Sequence, residues 1–346
     1  MKITQEELTA LNLPSVACPG IDPRLWKQQL TSLLQKEYLG SVPDLKTLSV
    51  SCSIQDENPF WYGGKATRST LLISAENAYS SHSFPVTVIL PHLEQVPVFL
   101  HLAFEKNDPF CGEEVLDHGF GIVKVCYTDI EPDDQTDHTD GFAGLMAPDD
   151  PDLWGKFGCW AFASSLIYDT LRQFPSIDQK RVAVVGHSRL AMTALYAGVL
   201  QPSFSMVGAI NSGALHRGTH KETFADLSRD YTRHWFRKDL FTRYSSEEQL
   251  PFDNHFLIAA CAPAPVYLSA ASLDEWCDPS SMAYSGLAAS PAFAAWGKKG
   301  LLLPEETEEN VLYAEGDISY YLRTGTHYFG RDDLLNMMKI RTRRNL

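Results

Sequence analysis

A serine that directly follows a short apolar run has the surroundings of a nucleophile. Residues 182–185 are apolar and bounded by charge, as in a buried parallel strand, and Gly186-His187-Ser188 follows at once. Apolar residues then recur at helical spacing. A strand-to-helix corner of this kind exposes the serine hydroxyl above the sheet. Leu190 replaces the last small residue of the G-x-S-x-G pattern, but the context predicts that Ser188 is a nucleophile.

A hydroxyl is a weak nucleophile until a base takes its proton, and a third group must orient that base. His327 follows the alternating, strand-like residues 318–322 and precedes a predicted helix over 332–340. A loop after the last strand is where this kind of corner finds its base. We therefore predict that His327 is the base for Ser188.

The orienting acid is expected between these two residues in the chain. Residues 265–270 predict another buried strand, and Asp274 lies in the loop that leaves it. Glu275 and Asp278 are close enough to compete. Asp278 precedes a proline and a predicted helix, so a helix N-cap is its alternative role, and Glu275 is alternatively a solvated side chain. Asp274 is the predicted acid.

The remaining pattern predicts an α/β fold with a mostly parallel central sheet and helices on both faces. Residues 1 to about 45 form a mostly helical leader that prolines break into short pieces. A helix is expected over 155–174, with its apolar residues on one stripe. Strands are expected over 46–54, 69–75, 85–90, 97–103, 121–127 and 206–210. The predicted units are a leader with the first strand over residues 1–57 and a catalytic domain over residues 58–346. An insertion is predicted within the catalytic domain at about residues 216–249.

Several segments together resemble the glucuronoyl esterases, carbohydrate esterase family 15, and their bacterial esterase-like relatives. The segments are VAVVGHSRLAMTALYAG, INSGALHRG, HWF, LPFDNHFLIAACAPAPVYLSAASLDEWCDP and YYLRTGTH, with PVFLHLAF, GIVKVCYTDIEPD and DLWGKFGCWAFASSLIYDTL upstream. The resemblance covers roughly residues 58–340 and implies an α/β-hydrolase fold. It also implies hydrolysis of carbohydrate esters, in the family's case the ester between a glucuronic acid on xylan and a lignin alcohol.

The resemblance places the family's nucleophile on Ser188 and its base on His327. It places on Arg189 the arginine whose side chain and backbone N–H hold the oxyanion, and preorganised donors suit that role. Some members carry the acid as glutamate in an E-S-G segment, which reads N-S-G at residues 211–213 here. An amide cannot stabilise an imidazolium as a carboxylate does. Asp274, at the position that bacterial relatives use, is therefore the expected acid.

Two substrate-binding positions follow from the same resemblance. Trp276 matches a tryptophan that lines the family's sugar site. The family's elbow usually continues with glycine and lysine, where this chain has Ala191 and Met192. A thioether cannot replace the three donors of a lysine. We therefore expect Met192 to border the substrate and to change which ester is preferred, unless the insertion near 216–249 supplies the missing donor.

Charge and composition exclude several classes of protein. The formal net charge of −14 and the lack of a basic face argue against a nucleic-acid partner. The first twenty residues lack the apolar core of a secretory signal, and no segment is long enough to span a membrane. Seven cysteines without metal spacing fit the cytoplasm, where we expect the protein to act, with Cys126, Cys159 and Cys261 as buried thiols.

Two stretches contain metal-ligand residue types without the spacing of a metal site. The acidic residues 129–152 do not meet the register of a calcium loop, because Thr136 and His138 fall on ligand positions, so we expect a solvated loop near the cleft. The histidines of the insertion lack a carboxylate or cysteine at helical ligand spacing: His216, His220 and His234. We predict no metal and no cofactor.

These features predict a serine carboxylic-ester hydrolase that acts on a small carbohydrate ester through an acyl-enzyme. A sugar O-deacetylase is the alternative within enzymes. A hydrolase-fold protein that binds a ligand without catalysis is the alternative outside them, because a fold alone does not imply activity.

Overall fold

One ten-stranded sheet forms the centre of the molecule. The computed structural model describes residues 1–135, 141–147, 150, 153–217 and 224–346. The strands in chain order are β1 (Ser49–Trp61), β2 (Ala66–Glu76), β3 (Ser81–Pro91), β4 (Val96–Ala103), β5 (Gly121–Cys126), β6 (Ile177–His187), β7 (Met206–Ile210), β8 (Val266–Ala271), β9 (Leu312–Tyr313) and β10 (Ile318–Arg323).

The order of the strands across the sheet is β1-β2-β3-β5-β4-β6-β7-β8-β10-β9. The strands from β5 to β10 in this order run parallel. Antiparallel pairing adds β1, β2 and β3 at one side and β9 at the other. The predicted strands are all present, although β1 is longer than expected and the division drawn after residue 57 falls inside it. The prediction of a mostly parallel α/β sheet is confirmed.

Helices cover both faces of this sheet. In chain order they are α1 (Gln5–Ala10), α2 (Pro23–Leu34), α3 (Gly112–Asp117), α4 (Tyr127–Ile130), α5 (Lys156–Thr170), α6 (Arg189–Leu200), α7 (Phe224–Leu227), α8 (Asp230–Arg233), α9 (Leu240–Arg243), α10 (His255–Cys261), α11 (Pro279–Ala295) and α12 (Arg331–Arg344). The leader contributes α1, α2 and short turns, as predicted. The segment 224–249 forms α7, α8, α9 and a 3-10 turn.

Successive side chains of the parallel strands enter two different cores, because they point to opposite faces of the sheet. In β6, Val182 and Val184 join the larger core, which α2, α5, α6, α10 and α11 complete. Ala183 and Val185 join the smaller core, together with α3 and α12. Burial on both faces explains why β6 reads as a continuous apolar run.

Helix α5 is buried on all sides, which corrects the prediction of a single apolar stripe. Residues Lys156–Tyr168 are buried without interruption. The helix packs against α6 and against the segment before α9, where the ring of Phe157 lies 5.5 Å from that of Trp235 and 5.3 Å from that of Phe236. A stripe pattern could not reveal these partners, because they come from a distant part of the chain.

The acidic residues after β5 also differ from the solvated loop that composition predicted. Glu131 is fully buried and pairs with the ammonium group of Lys156. The side chain of Asp133 is 10% exposed. Donors from other segments reach both carboxylates, so burial is compensated. Thr136, His138 and Asp140, which the calcium-loop register involved, and His220 lie outside the described residues.

Among the described helices, none combines the length and the hydropathy that a membrane span requires. None of the seven cysteines, all of which lie in the described ranges, forms a disulfide, and Cys126, Cys159 and Cys261 are buried as predicted.

Candidate active site

Ser188 occupies the sharp turn between β6 and α6. Its backbone has φ 57° and ψ −133°, a conformation that L-residues rarely adopt and that characterises strained functional turns. Its N–H donates to the carbonyl of Ile210 at 2.8 Å, and its carbonyl accepts from the N–H of Ala191 at 2.8 Å. A Cβ on Gly186 would lie 2.0 Å from the carbonyl oxygen of Leu190, so this turn requires glycine there. The predicted strand-to-helix corner is therefore present.

His327 and Asp274 meet at the carboxyl ends of β8 and β10. Nδ1 of His327 lies 2.7 Å from Oδ2 of Asp274, and the same oxygen accepts a hydrogen bond from Nδ2 of Asn211 at 2.8 Å. A carboxylate can only accept, so Nδ1 carries the proton and Nε2 keeps its lone pair. That arrangement leaves His327 able to accept a proton at Nε2.

Asp274 is ionised although it is buried. Burial alone would raise the pKa of its carboxyl group, but hydrogen bonds from His327 and Asn211 outweigh burial and hold the pKa below its usual value. The charge of Asp274 is therefore available to stabilise an imidazolium at His327.

The two competing acids have other roles. The side chain of Asp278 accepts from the N–H of Ser281 at 3.0 Å and from the hydroxyl of Ser280 at 2.6 Å, and so caps α11. The alternative N-cap role of Asp278 is confirmed. Glu275 is exposed. Asp274 supplies the hydrogen bond to His327.

A buried thiol lies against the same imidazole. Sγ of Cys277 is 3.4 Å from Nδ1 of His327, and it donates to the carbonyl oxygen of Asn211 at 2.9 Å. The 3-10 turn Glu275–Cys277 follows Asp274 directly, which places the thiol and the carboxylate on the same side of one tight turn.

The histidine before the candidate nucleophile lies beside the candidate base but carries no positive charge. The ring of His187 lies 4.6 Å from that of His327. Burial, with a contribution from the charge of His327, lowers the pKa of His187 to about 3. His187 is therefore neutral at neutral pH.

Arg189 is held in place by a carboxylate. Its Nη1 contacts Oδ2 of Asp133, and its guanidinium lies 4.7 Å from the ring centroid of Trp235 and 5.7 Å from that of Phe104. As the first residue of α6, Arg189 also has a backbone N–H that no helical carbonyl can reach. The side chain and the N–H both belong to the corner that presents Ser188.

Asp133 collects donors from three segments of the chain. Oδ2 accepts from the hydroxyl of Tyr127 at 3.1 Å as well as from Arg189. Oδ1 lies 2.7 Å from Nε2 of His234 and accepts from Nε1 of Trp235 at 2.8 Å. Burial would raise the pKa of Asp133, but these donors hold it well below its usual range. A permanently ionised Asp133 thus fixes the guanidinium of Arg189.

The predicted site residues border a single cavity of about 680 Å³. Ser188, Arg189, Met192, Asp274, Trp276 and His327 all line it. Met192 is buried in its wall, whereas Trp276 is 45% exposed and is not a core aromatic. The structure therefore brings together all six residues that the sequence singled out.

Three further residues of this site were missed in the sequence: Asp133, Asn211 and Cys277. Asp133 lies shortly after α4, in a stretch whose acidic composition predicted a solvated loop, and no local pattern indicates its distant donors. Asn211 was judged only as a replacement for an acid, and its amide instead holds Asp274. For Cys277, the spacing of three from Asp274 was the signal, because residues three apart meet in a 3-10 turn.

The strand order, the serine corner after a central parallel strand and the histidine after the last one define an α/β-hydrolase with a serine esterase site. A family model described as "Glucuronyl esterase, fungi" matches residues 73–297, about two thirds of the chain. The chain belongs to this glucuronyl esterase family.

Individual relatives agree with the family match. Carbohydrate esterase MZ0003, from an unknown prokaryotic organism, is 28% identical, and the match covers 87% of this chain and 80% of that protein. The 4-O-methyl-glucuronoyl methylesterase 1 of Phanerochaete chrysosporium is 26% identical, with 78% and 57% covered. The structure of a glucuronoyl esterase from Solibacter usitatus superposes with a TM-score of 0.86 at 25% identity, with 95% and 97% covered.

Membership of this family makes the protein a serine-type carboxylic ester hydrolase of carbohydrate esters. The resemblance noted in the sequence is confirmed. The family match supports this function over a sugar O-deacetylase or a non-catalytic binding protein.

Replacement of Asp274 by asparagine should lower kcat by on the order of 10²- to 10⁴-fold, because an amide cannot both fix the Nδ1 proton of His327 and stabilise its charge. Steady-state hydrolysis of methyl glucuronate measures the loss. Asp278→Asn is the matched control, since asparagine caps helices as well as aspartate does. A severe loss in the Asp278 variant with an active Asp274 variant would reverse the assignment.

Replacement of Asp133 by asparagine should lower kcat by about 10- to 1000-fold with little change in KM, because loss of one oxyanion donor costs up to about that much. The asparagine amide directs its N–H groups toward some of the side chains that now donate hydrogen bonds to Asp133. The guanidinium of Arg189 is then no longer held in place.

A double-mutant cycle separates this positioning role from general destabilisation. In an Arg189→Met background, Asp133→Asn should have little further effect on kcat, because both changes remove the same interaction. Equal losses of kcat in both backgrounds would show that Asp133 does not act through Arg189.

Proposed function

We propose that the protein hydrolyses esters of uronic-acid sugars through an acyl-enzyme on Ser188. The observation that carries the proposal is the hydrogen-bonded pair of Asp274 and His327 in the wall of the cavity that Ser188 borders. The 4-O-methyl-glucuronoyl methylesterases among the relatives support the acyl half of this substrate. The cavity has room for a sugar ring, since ligand pockets commonly measure about 300 to 1,000 Å³.

In the first half of the reaction, Nε2 of His327 takes the proton of the Ser188 hydroxyl as Oγ attacks the ester carbonyl. The imidazolium then protonates the leaving alcohol, and the acyl group stays on Ser188. In the second half, His327 takes a proton from water as the water oxygen attacks the acyl-enzyme, and the imidazolium then returns a proton to Oγ of Ser188 as the acid is released. Asp274 keeps the imidazole in the correct tautomer throughout.

Negative charge on the carbonyl oxygen develops beside Arg189. The backbone N–H of Arg189 points from the first turn of α6, and its guanidinium is fixed by Asp133. Donors that are already in place need no reorganisation when charge develops, and they are worth more in a partly dry cavity than in water.

The cavity wall one helical turn beyond Arg189 is apolar at a position that matters for specificity. Met192 lies one helical turn after Arg189 on α6 and lines the cavity. Tyr231, from the segment before α9, is half exposed and lines the same cavity. We infer that Met192 disfavours an acyl ring that presents hydroxyls on that side, and that Tyr231 is the candidate for an alternative donor.

We also infer that the protein works in the cytoplasm. The seven cysteines support this location, since none of them is in a disulfide in the described structure and disulfides persist mainly in oxidising compartments. Fractionation of the native host is the test.

A fluorophosphonate should label Ser188, and peptide mass spectrometry would identify the modified residue. Ser188→Ala should remove nearly all turnover while leaving ligand binding, because the other groups of the cavity remain. His187, which is half-buried next to it, has no hydroxyl and serves as an internal control in the same peptide. Labelling at another residue of the folded protein would contradict the mechanism.

Met192→Lys should raise kcat/KM for methyl glucuronate by roughly 10- to 150-fold, because a charged hydrogen bond is worth about 1.5 to 3 kcal/mol. Met192→Leu is the matched control, since it keeps the apolar wall and adds no donor. The comparison uses kcat/KM of the three proteins on the same ester.

If the wild-type protein is already efficient and lysine brings no gain, Met192 does not limit this activity. Tyr231→Phe then distinguishes the remaining explanation, because it removes one hydroxyl and preserves the ring. A loss of kcat/KM in that variant would assign the missing donor to Tyr231.

A further inference from the structure

Three groups that commonly ligate transition metals lie together at the Nδ1 side of the candidate base, His327. A carboxylate oxygen of Asp274, Sγ of Cys277 and Nδ1 of His327 all lie within 4.8 Å of one another. The proposed hydrolysis uses the carboxylate and the imidazole, and it leaves the thiol without a role. Within the ranges that the structure describes, no other group of three such residues was found.

We propose that Asp274, Cys277 and His327 form a binding site for a thiophilic divalent ion such as Zn²⁺, and that the bound ion switches the esterase off. Binding of the ion does not depend on the proposed function, whereas the inhibition rests on it.

The donor set selects the ion. One thiolate, one imidazole and one carboxylate provide three ligands, and water completes a tetrahedron, the arrangement of open zinc sites. A thiolate ligand favours zinc and its transition-metal analogues over Mg²⁺ and Ca²⁺, which prefer oxygen ligands. We therefore expect Mg²⁺ not to replace the proposed inhibitory ion at this site.

The present distances are close to those of a zinc site. Oxygen, nitrogen and sulfur ligands of a tetrahedral zinc ion lie about 3.3 to 3.6 Å apart, as follows from bond lengths of about 2.0 to 2.3 Å. Sγ of Cys277 is already 3.4 Å from Nδ1 of His327. The 2.7 Å separation of Nδ1 from Oδ2 of Asp274 must widen by about half an ångström, as the ion replaces the proton between them.

Neighbouring groups orient the ligands and leave a route to them. Asn211 donates to Asp274 through Nδ2 and accepts from Cys277 through its carbonyl, so one buried residue contacts two ligands. Outer contacts of this kind fix ligand geometry in metal sites. All three ligands line the 680 Å³ cavity, and the side chain of His327 is 37% exposed.

The ion would block catalysis by binding to Nδ1 of His327. Coordination uses the lone pair of Nδ1, so the proton of the neutral imidazole moves to Nε2. The thiol releases its proton to solvent. A protonated Nε2 cannot accept the proton of Ser188, and Asp274 no longer faces the imidazole through a hydrogen bond. Removal of the ion restores the original tautomer.

Cobalt reports on the site independently of activity. Co²⁺ titrated into the metal-free protein should produce a thiolate-to-metal charge-transfer band at a stoichiometry of one. Ser188→Ala should give the same band, because it keeps all three ligands. Cys277→Ser and Cys277→Ala should each lose it, whereas Cys111→Ser, which removes an exposed thiol, should retain it. A wild-type protein without the band would overturn the proposal, whatever its esterase activity.

Inhibition by Zn²⁺ tests the consequence. Ester hydrolysis should fall with rising Zn²⁺ and recover with a chelator, and Mg²⁺ at the same concentration should have no effect. Each variant is compared with its own uninhibited rate. Loss of Cys277 should raise the inhibition constant by more than about 100-fold, since loss of an outer partner alone costs about 10- to 100-fold in affinity. Equal inhibition of wild type and both Cys277 variants would overturn the proposal.

Discussion

The turn from β6 into α6 is linked by hydrogen bonds to the groups that hold the candidate base. Because Gly186 has no Cβ, α6 can begin directly beside β6, where a larger residue would collide with the backbone. The N–H of Ser188 then bonds to Ile210 at the end of β7, and the next residue, Asn211, holds Asp274. Asp274 in turn holds His327. Four loops at one edge of the sheet are thus connected by a single series of hydrogen bonds that starts at the turn.

Two ionised carboxylates organise the site in the same way. Asp274 orients the imidazole, and Asp133 orients the guanidinium of Arg189. Burial opposes the charge in both cases, and converging donors overcome it and lower both pKa values. Such pairs are costly to break, because a buried charge then loses its partner. The proposed base and the proposed oxyanion donor are therefore each held in place by a neighbouring carboxylate.

The sequence predicted what depends on local pattern. Apolar periodicity and turn residues indicated the strands, the serine corner and the position of His327, and a proline after Asp278 indicated a helix cap. The surroundings of α5 and the role of Asp133 could not be found in this way, because their partners lie far along the chain. Asp133 and Arg189 are 56 residues apart, and Asp133 and Trp235 are 102 apart. Charge in a loop gives no information about which distant donors will fold onto it.

The attachment of the segment around Trp235 has a consequence for how the cavity accepts a ligand. The carbonyls of His234 and Trp235 accept hydrogen bonds from the first two N–H groups of α5, each at 3.0 Å. Because Gly155 has no Cβ, the two segments can approach closely. This part of the wall is already ordered by a buried helix and by Asp133. Its conformational entropy is lost when the chain folds and not when a ligand enters. This part of the wall therefore presents a fixed shape, and a poorly fitting ring gains nothing from its rearrangement.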